Sequence, residues 1–475
     1  MAKHISALLH TTFFAVLTLS MSHQAAADPN RADKSLAAGY KAMFTCSATF
    51  NGAKTLEQIE QDELSNIYSD YKEAMVAVED PVINQVEKYV AVQFAEDMPP
   101  RISAWRPHSG CTALPPGATV KDIKYLPKVK LKSPKTDAED IMWPMGDKLP
   151  NSSSLNGAVA DKIDDLVAAA FVGEYGGNTS AVLIVKDRQI ISERYKEGFD
   201  KHTSQRTWSV AKSVGASVIG AAVKDGYIDV DDKTGLKAWS DPGDPRAAIT
   251  IENLLHMASG LNSEPAGNRT DQVYFGGGKM AQHATKAPLE APPGTRWRYA
   301  NNDTMLALRA LREDMNNDRR YHAYPFKALL HKIGMYHTAP EMDWGGDFIF
   351  SSQVWTTSRD LARLGLLYLN DGIWDGERIL PENWADYVSA PLGAQPPNRL
   401  GDRAQEPGRG YGAQFWRYEN YDNVPDGTYA ALGNRGQFLV IVPSMDLIIV
   451  RRGYDWRGNY FDGPKFTGAI SNVLK

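Results

Sequence analysis

Ser209 and Lys212 stand three residues apart at the head of a small, apolar stretch, 209–224, that ends at Asp225-Gly226. On a helix, this spacing stacks both side chains on one face. A serine hydroxyl is a weak nucleophile until its proton is removed. A lysine held neutral by burial or by another cation can remove it. A helix start also offers backbone N–H groups and partial positive charge to a developing oxyanion. The spacing alone is not specific, because Ser69 and Lys72 repeat it in a charged stretch that reads as surface helix. Around Ser209 the context differs: Trp208 precedes it, and the residues that follow are small enough for a central, buried helix.

A second group is Tyr299-Ala300-Asn301, set on a glycine-containing loop just before a helical pattern at 304–311. Tyr418-Glu419-Asn420 and Tyr421-Asp422-Asn423 share the Tyr-x-Asn spacing, so position again carries the meaning. A phenol beside a cationic lysine has its phenolate favoured and can serve as a base. The amide of Asn301 can bond both a substrate carbonyl and the lysine. The third group is Gly433-Asn434-Arg435-Gly436-Gln437, which runs straight into a C-terminal hairpin. Gly436 lets backbone approach a ligand closely. The N–H of Gln437 is expected to join that of Ser209 in holding an oxyanion.

In this order the three groups resemble the serine β-lactamase and penicillin-binding superfamily, whose related set is Ser-x-x-Lys, Ser-Asp-Asn and Lys-Thr-Gly. The Tyr-Ala-Asn form is similar to the branch of class C β-lactamases, DD-peptidases, family VIII esterases and 6-aminohexanoate-dimer hydrolases. The stretches 254–261, 358–365 and 374–381 look like that branch too, and the resemblance spans about 157–475. It implies a hydrolase without a cofactor, acting on a small-molecule ester or amide through an acyl-enzyme on Ser209. β-Lactams and D-amino-acid amides fall within that class. Lys212 and Tyr299 would share the proton work. Asn301, Gly436 and Gln437 would bind the substrate or its oxyanion. One departure stands out: where β-lactamases carry Lys-Thr-Gly, this chain has Asn434-Arg435-Gly436. An arginine fork is not a lysine point charge, which favours linear amides and esters over β-lactams. The competing reading is a penicillin-sensor-like binding protein, acylated without efficient turnover.

These side chains need a frame. β-rich runs at 180–185 and 189–195 flank a polar triplet, and 438–442 and 447–452 flank Pro443-Ser444-Met445-Asp446. Each pair predicts a hairpin. Helical patterns cover 161–171, 209–224 and 466–474, and mostly helical and loop signals fill the stretch to about 400. The expected fold is α+β: an antiparallel sheet built from both ends of a 157–475 domain, flanked by helices, with a helical lobe inserted between. The site belongs in the cleft between lobes. Residues 28–150 form a smaller N-terminal unit, with helices expected at 36–44 and 56–78, joined through a connector at 128–156.

The chain of 475 residues is long enough for two or three domains, and its net charge of −5 without a long basic run argues against a nucleic-acid partner. Residues 1–27 read as a signal peptide: Lys3, an apolar run interrupted by His10, then Ala25-Ala26-Ala27. That run is too short to span a bilayer, so the expectation is a periplasmic or secreted protein with no stable membrane span after cleavage. Export and an even cysteine count predict a disulfide between Cys46 and Cys111, the two cysteines of the chain. Two such ligands without a nearby histidine cluster do not make a zinc site, and no metal is expected. His256 reads as structural. Trp416, Tyr418 and Tyr421 are equally consistent with pocket lining and with packing.

Overall fold

The computed structural model describes residues 31–67, 69–131, 138–150, 155–263, 270–397, 410–418 and 420–475. The signal peptide expected at 1–27 lies outside them, and so does part of the expected connector.

Strands β1 (Val82–Asn84), β2 (Tyr89–Val92), β3 (Arg101–Arg106) and β4 (Gly110–Ala113) form an antiparallel sheet in chain order. Strands β5 (Thr179–Lys186) and β6 (Gln189–Tyr195) form the first expected hairpin. Short strands β7 (Gln205–Arg206), β8 (Ala339–Pro340) and β9 (Val354–Thr356) make a small sheet in the order β7-β9-β8, and β10 (Ile373–Trp374) pairs with β11 (Glu377–Arg378). The C-terminal part adds β12 (Trp416–Arg417), β13 (Tyr429–Gly433), β14 (Gln437–Val442) and β15 (Leu447–Gly453). The main sheet runs β12-β13-β14-β15-β5-β6, so its two chain ends meet where β15 pairs with β5. The fold is α+β, as the sequence predicts.

Alternation along the strands decides what covers each face. Val182, Ile184, Val440, Val442, Leu447 and Ile449 pack against helices Gly157–Phe171 and Gly463–Leu474 through Ile163, Val167, Phe466 and Ile470. Leu183, Val185, Leu439, Ile441, Ile448 and Val450 face the opposite way, into the core that holds helix Val210–Lys224 and the helical lobe. Both faces are apolar, so the runs are continuous rather than alternating.

The N-terminal region joins that second core. Helix Arg31–Phe50 contributes Tyr40 and Phe44, whose rings lie 5.1 and 6.2 Å from Phe275 of the lobe. A disulfide links Cys46 on this helix to Cys111 on β4, with Cα atoms 6.2 Å apart. The helix expected over 56–78 is instead broken. A short helix Leu56–Ile59 widens into a π turn, Glu60–Leu64, and later come a 3-10 turn, Ser69–Tyr71, and helix Lys72–Ala77. The break falls where Ser65 is extended and Asn66 adopts a left-handed φ of 52°, a conformation a helix interior does not accommodate. No helix among the described residues is long and apolar enough to cross a membrane.

Candidate active site

Ser209 caps the buried helix Val210–Lys224, so its own N–H belongs to the helix start. The residue before it, Trp208, has φ +50°. That conformation is costly for a bulky side chain and persists only where the surroundings enforce it. Here the Arg206 guanidinium lies 3.6 Å from the Trp208 ring centroid and 4.2 Å from that of Phe44. The Thr207 N–H donates to the Val354 carbonyl at 2.8 Å.

One turn along, Lys212 is 1 % exposed. Its Nζ lies 2.6 Å from Asn301 Oδ1, 2.7 Å from the Ser351 carbonyl oxygen and 3.3 Å from Ser209 Oγ. All three partners are neutral. Burial therefore lowers the Lys212 pKa to about 7. A neutral amine has two N–H groups and one lone pair. An amine in that form, giving its two N–H groups to the short contacts, would turn its lone pair to the serine hydroxyl. Asn301 opens helix Asn301–Met315, and its Nδ2 donates to Thr270 Oγ1 at 3.3 Å, which turns the carbonyl end toward the lysine. Nothing in the residue types around Ser351 marks its part, because a backbone carbonyl does the work. Its hydroxyl is tied to that of Tyr274 at 2.7 Å.

Tyr299 lies against the same pair. Its ring centroid is 4.9 Å from Lys212 Nζ, and its side chain hydrogen-bonds that of Ser209. Burial pushes the Tyr299 phenol up from its usual value, and the Ser209 bond only partly offsets this. Trp416 stacks on Tyr299 with centroids 5.7 Å apart, and Trp297 and Tyr411 complete an aromatic wall. Tyr418 and Tyr421 belong instead to the core on the far face of the sheet. His256 is buried against the Tyr387 ring, and burial lowers its pKa to about 4.

The structure thus brings Ser209, Lys212, Tyr299 and Asn301 together. Gln437 pairs with Gly433, next to Ser209, and Gly436 lies in the turn before it. A Cβ on Gly436 would collide with Arg451 and Asp455. The Gln437 amide donates to the Gly453 carbonyl at 2.5 Å and accepts from Arg452 Nε at 2.7 Å. The glycine beside Ser209 is Gly433: a Cβ there would sit 3.2 Å from the Ser209 nitrogen and collide with the Thr207 carbonyl. The strand end beside Ser209 is therefore Ala431-Leu432-Gly433, and the 434–436 group singled out in the sequence lies in the turn beyond it. Arg435 does not take over the missing lysine. It is 7 % exposed and donates to the carbonyls of Asp62 and Asp455. Gly433↔Gln437 is the last pair of the β13–β14 ladder, so Asn434, Arg435 and Gly436 make the turn. Two similar glycines three residues apart hid this register.

The Beta-lactamase family model matches residues 159–451, more than half of the chain. The chain belongs to the β-lactamase family. As a member of the β-lactamase family it is a serine hydrolase. It is similar to the 6-aminohexanoate-dimer hydrolase of Paenarthrobacter ureafaciens, 26% identical over 289 residues that cover 58% of this chain and 72% of the relative. A Bacillus anthracis structure provisionally named a 6-aminohexanoate-dimer hydrolase matches with a TM-score of 0.51 and 22% identity, covering 62% of this chain and 77% of its own. A Bacteroides dorei DSM 17855 structure provisionally named a β-lactamase matches with a TM-score of 0.52 and 18% identity, covering 66% and 98%. At these identities the structural likeness establishes the β-lactamase-like fold.

Proposed function

We propose that this chain is an exported hydrolase that cleaves an ester or linear amide bond through an acyl-enzyme on Ser209. The observation that carries this is the setting of Lys212, buried among neutral oxygens with its third direction on Ser209 Oγ. In the first half-reaction Lys212 takes the serine proton as Oγ bonds to the substrate carbonyl carbon. The Ser209 N–H and the strand end at Gly433–Asn434 hold the oxyanion. Tyr299, which stays protonated, relays the proton to the departing alcohol or amine as the C–O or C–N bond breaks. Water then attacks the acyl carbon, gives its proton to the same pair, and releases Ser209.

We read Ala431-Leu432-Gly433 as the counterpart of Lys-Thr-Gly, with an alanine where a lysine would meet the carboxylate of a β-lactam, and Arg435 is engaged elsewhere. That supports substrates without such a carboxylate, in line with the linear amide in the name of the Paenarthrobacter relative. The disulfide fits an oxidising compartment, and we take residues 1–27 as the export signal and 28–150 as an accessory region before the hydrolase domain.

The test is a turnover screen of the purified mature protein over short p-nitrophenyl esters, linear amides, D-amino-acid peptides and nitrocefin. Fluorophosphonate labelling of wild type and Ser209→Ala runs beside it. Multiple turnovers on an ester or amide, with labelling lost in Ser209→Ala, support the proposal. A one-equivalent burst without turnover on every substrate replaces it with the sensor reading. Nitrocefin turnover equal to ester turnover overturns the substrate preference, for which at least about tenfold is expected, a barrier difference of only roughly 1.4 kcal/mol.

A further inference from the structure

Both backbone segments that flank the nucleophile end in contacts with one short stretch of the N-terminal region, 54–63. On one side is β7, which leads directly into Ser209. Gln205 on this strand donates through Nε2 to the Tyr454 hydroxyl at 2.9 Å. That hydroxyl is also hydrogen-bonded by Lys54 Nζ. The Lys54 side chain is 1 % exposed, and its Nζ lies 2.7 Å from Glu63 Oε1 and 3.4 Å from Asp62 Oδ2. On the other side is the turn that follows Gly433. Its central residue, Arg435, holds φ +58° and donates through Nη1 to the Asp62 carbonyl at 2.5 Å. The Arg435 guanidinium lies 5.6 Å from the Tyr454 ring centroid. The cluster of Lys54, Asp62, Glu63, Tyr454 and Arg435 is thus buried, ionic and shared by three parts of the chain. Such a cluster holds its members tightly, because removing one partner leaves an uncompensated charge.

The two segments it joins are those whose separation defines the oxyanion position: the Ser209 N–H on one, the Gly433–Asn434 backbone on the other. We propose that stretch 54–63 is a built-in positioning element of the catalytic site, with Lys54 and Arg435 as positioning residues that set the gap between those two backbone segments. The proposal rests on Ser209 being the nucleophile. It gives the N-terminal region a task in catalysis, and it makes Arg435 a strut. Oxyanion donors act only when preorganised at the transition state, and a small misplacement costs rate more than binding. The signature is therefore a fall in kcat with KM little changed.

The experiment compares wild type, Arg435→Gln, Arg435→Lys and Tyr454→Phe in the full mature protein, on a p-nitrophenyl ester. Fluorophosphonate titration counts the reactive serines, and thermal unfolding is followed for each variant. Arg435→Gln should lower kcat per titrated serine by about tenfold or more, with KM within about threefold. Arg435→Lys, which keeps one donor for Asp62, should recover part of that loss. Tyr454→Phe removes only the hydroxyl between Lys54 and Gln205, keeps the ring, and is the variant that decides if Arg435→Gln does not fold. It should lower kcat per serine by about threefold or more. Unchanged kcat per serine with only a lower unfolding temperature would overturn the proposal, as would a rise in KM alone. Failure of wild-type labelling at Ser209 would instead bring down the nucleophile assignment on which it rests.

Discussion

Lys212 Nζ and Asn301 Oδ1 are 2.6 Å apart, joining the first turns of two helices 89 residues apart in sequence. The contact gives the lysine a neutral partner instead of a carboxylate. That choice decides the chemistry, since a carboxylate would hold the ammonium charged at every working pH.

Loss of either member of the proton pair should be severe and mutually redundant. Lys212→Ala and Tyr299→Phe are each expected to lower kcat by about 10² to 10⁴. The double variant should lose far less than the product, because the two act as a unit. Steady-state kinetics on one ester reads this. Multiplicative losses would separate their roles. Ser69→Ala, which alters the other Ser-x-x-Lys, should leave turnover as it is.

The pH profile follows from the lowered pKa of Lys212. Below about 7 the amine is protonated and cannot accept the serine proton, so kcat/KM for a neutral ester should rise with pH through a single ionisation near 7. Tyr299→Phe should lower the plateau and leave the midpoint in place. A midpoint above about 9 would assign the base role to the phenol instead.

Gly433→Ala should disable the site without unfolding the sheet. The added methyl meets the Thr207 carbonyl and sits 3.2 Å from the Ser209 nitrogen. An expected loss of about 10² or more in kcat is the size of a spoiled oxyanion donor. Gly436→Ala, which meets Arg451 and Asp455 at a φ of +77°, should chiefly lower the unfolding temperature. Comparing kcat with melting curves separates the two glycines.

Glu341 offers a stability test away from the chemistry. Fully buried, it accepts through Oε1 from Ser47 Oγ, Asn51 Nδ2 and the Cys111 N–H. Burial raises its pKa from 4.5 to about 7, against the pull of these bonds and of Arg206. A raised folded pKa contributes stability that is complete below the unfolded value and is lost as pH rises through about 7. Glu341→Gln keeps an acceptor at Oε1 and cannot ionise. Its unfolding temperature should match wild type at about pH 4 and exceed it at about pH 8. An equal difference at both pH values would refute the assignment.

The catalytic helix and both hairpins were legible because their signals are local. Strand alternation, a polar turn and a glycine stop each act within a few residues. That Ser209, Lys212, Tyr299 and Asn301 would stand together was legible through context. The rest depended on distant partners. Ser351 contributes a carbonyl, which no side-chain pattern marks. Asp62 and Glu63 fell within a stretch expected as one helix, and their buried partner, Lys54, is a contact that no helical pattern marks. The choice of Gly433 over Gly436 needed the register of β13 on β14. Strands β1 to β4 passed unnoticed among the short, mixed stretches of the N-terminal region.

The pairing of Thr179–Lys186 with Leu447–Gly453 also sets an order of events in biosynthesis. Until the last strand is in place, the first hairpin has one edge without its ladder, the kind of edge that captures other chains. The helical lobe between them is made, and must wait, before the sheet beneath it exists. A cut within that lobe would leave two fragments, each holding part of one sheet. Their recombination would have to run through the β15–β5 ladder, and hydrolytic activity would return only once it formed.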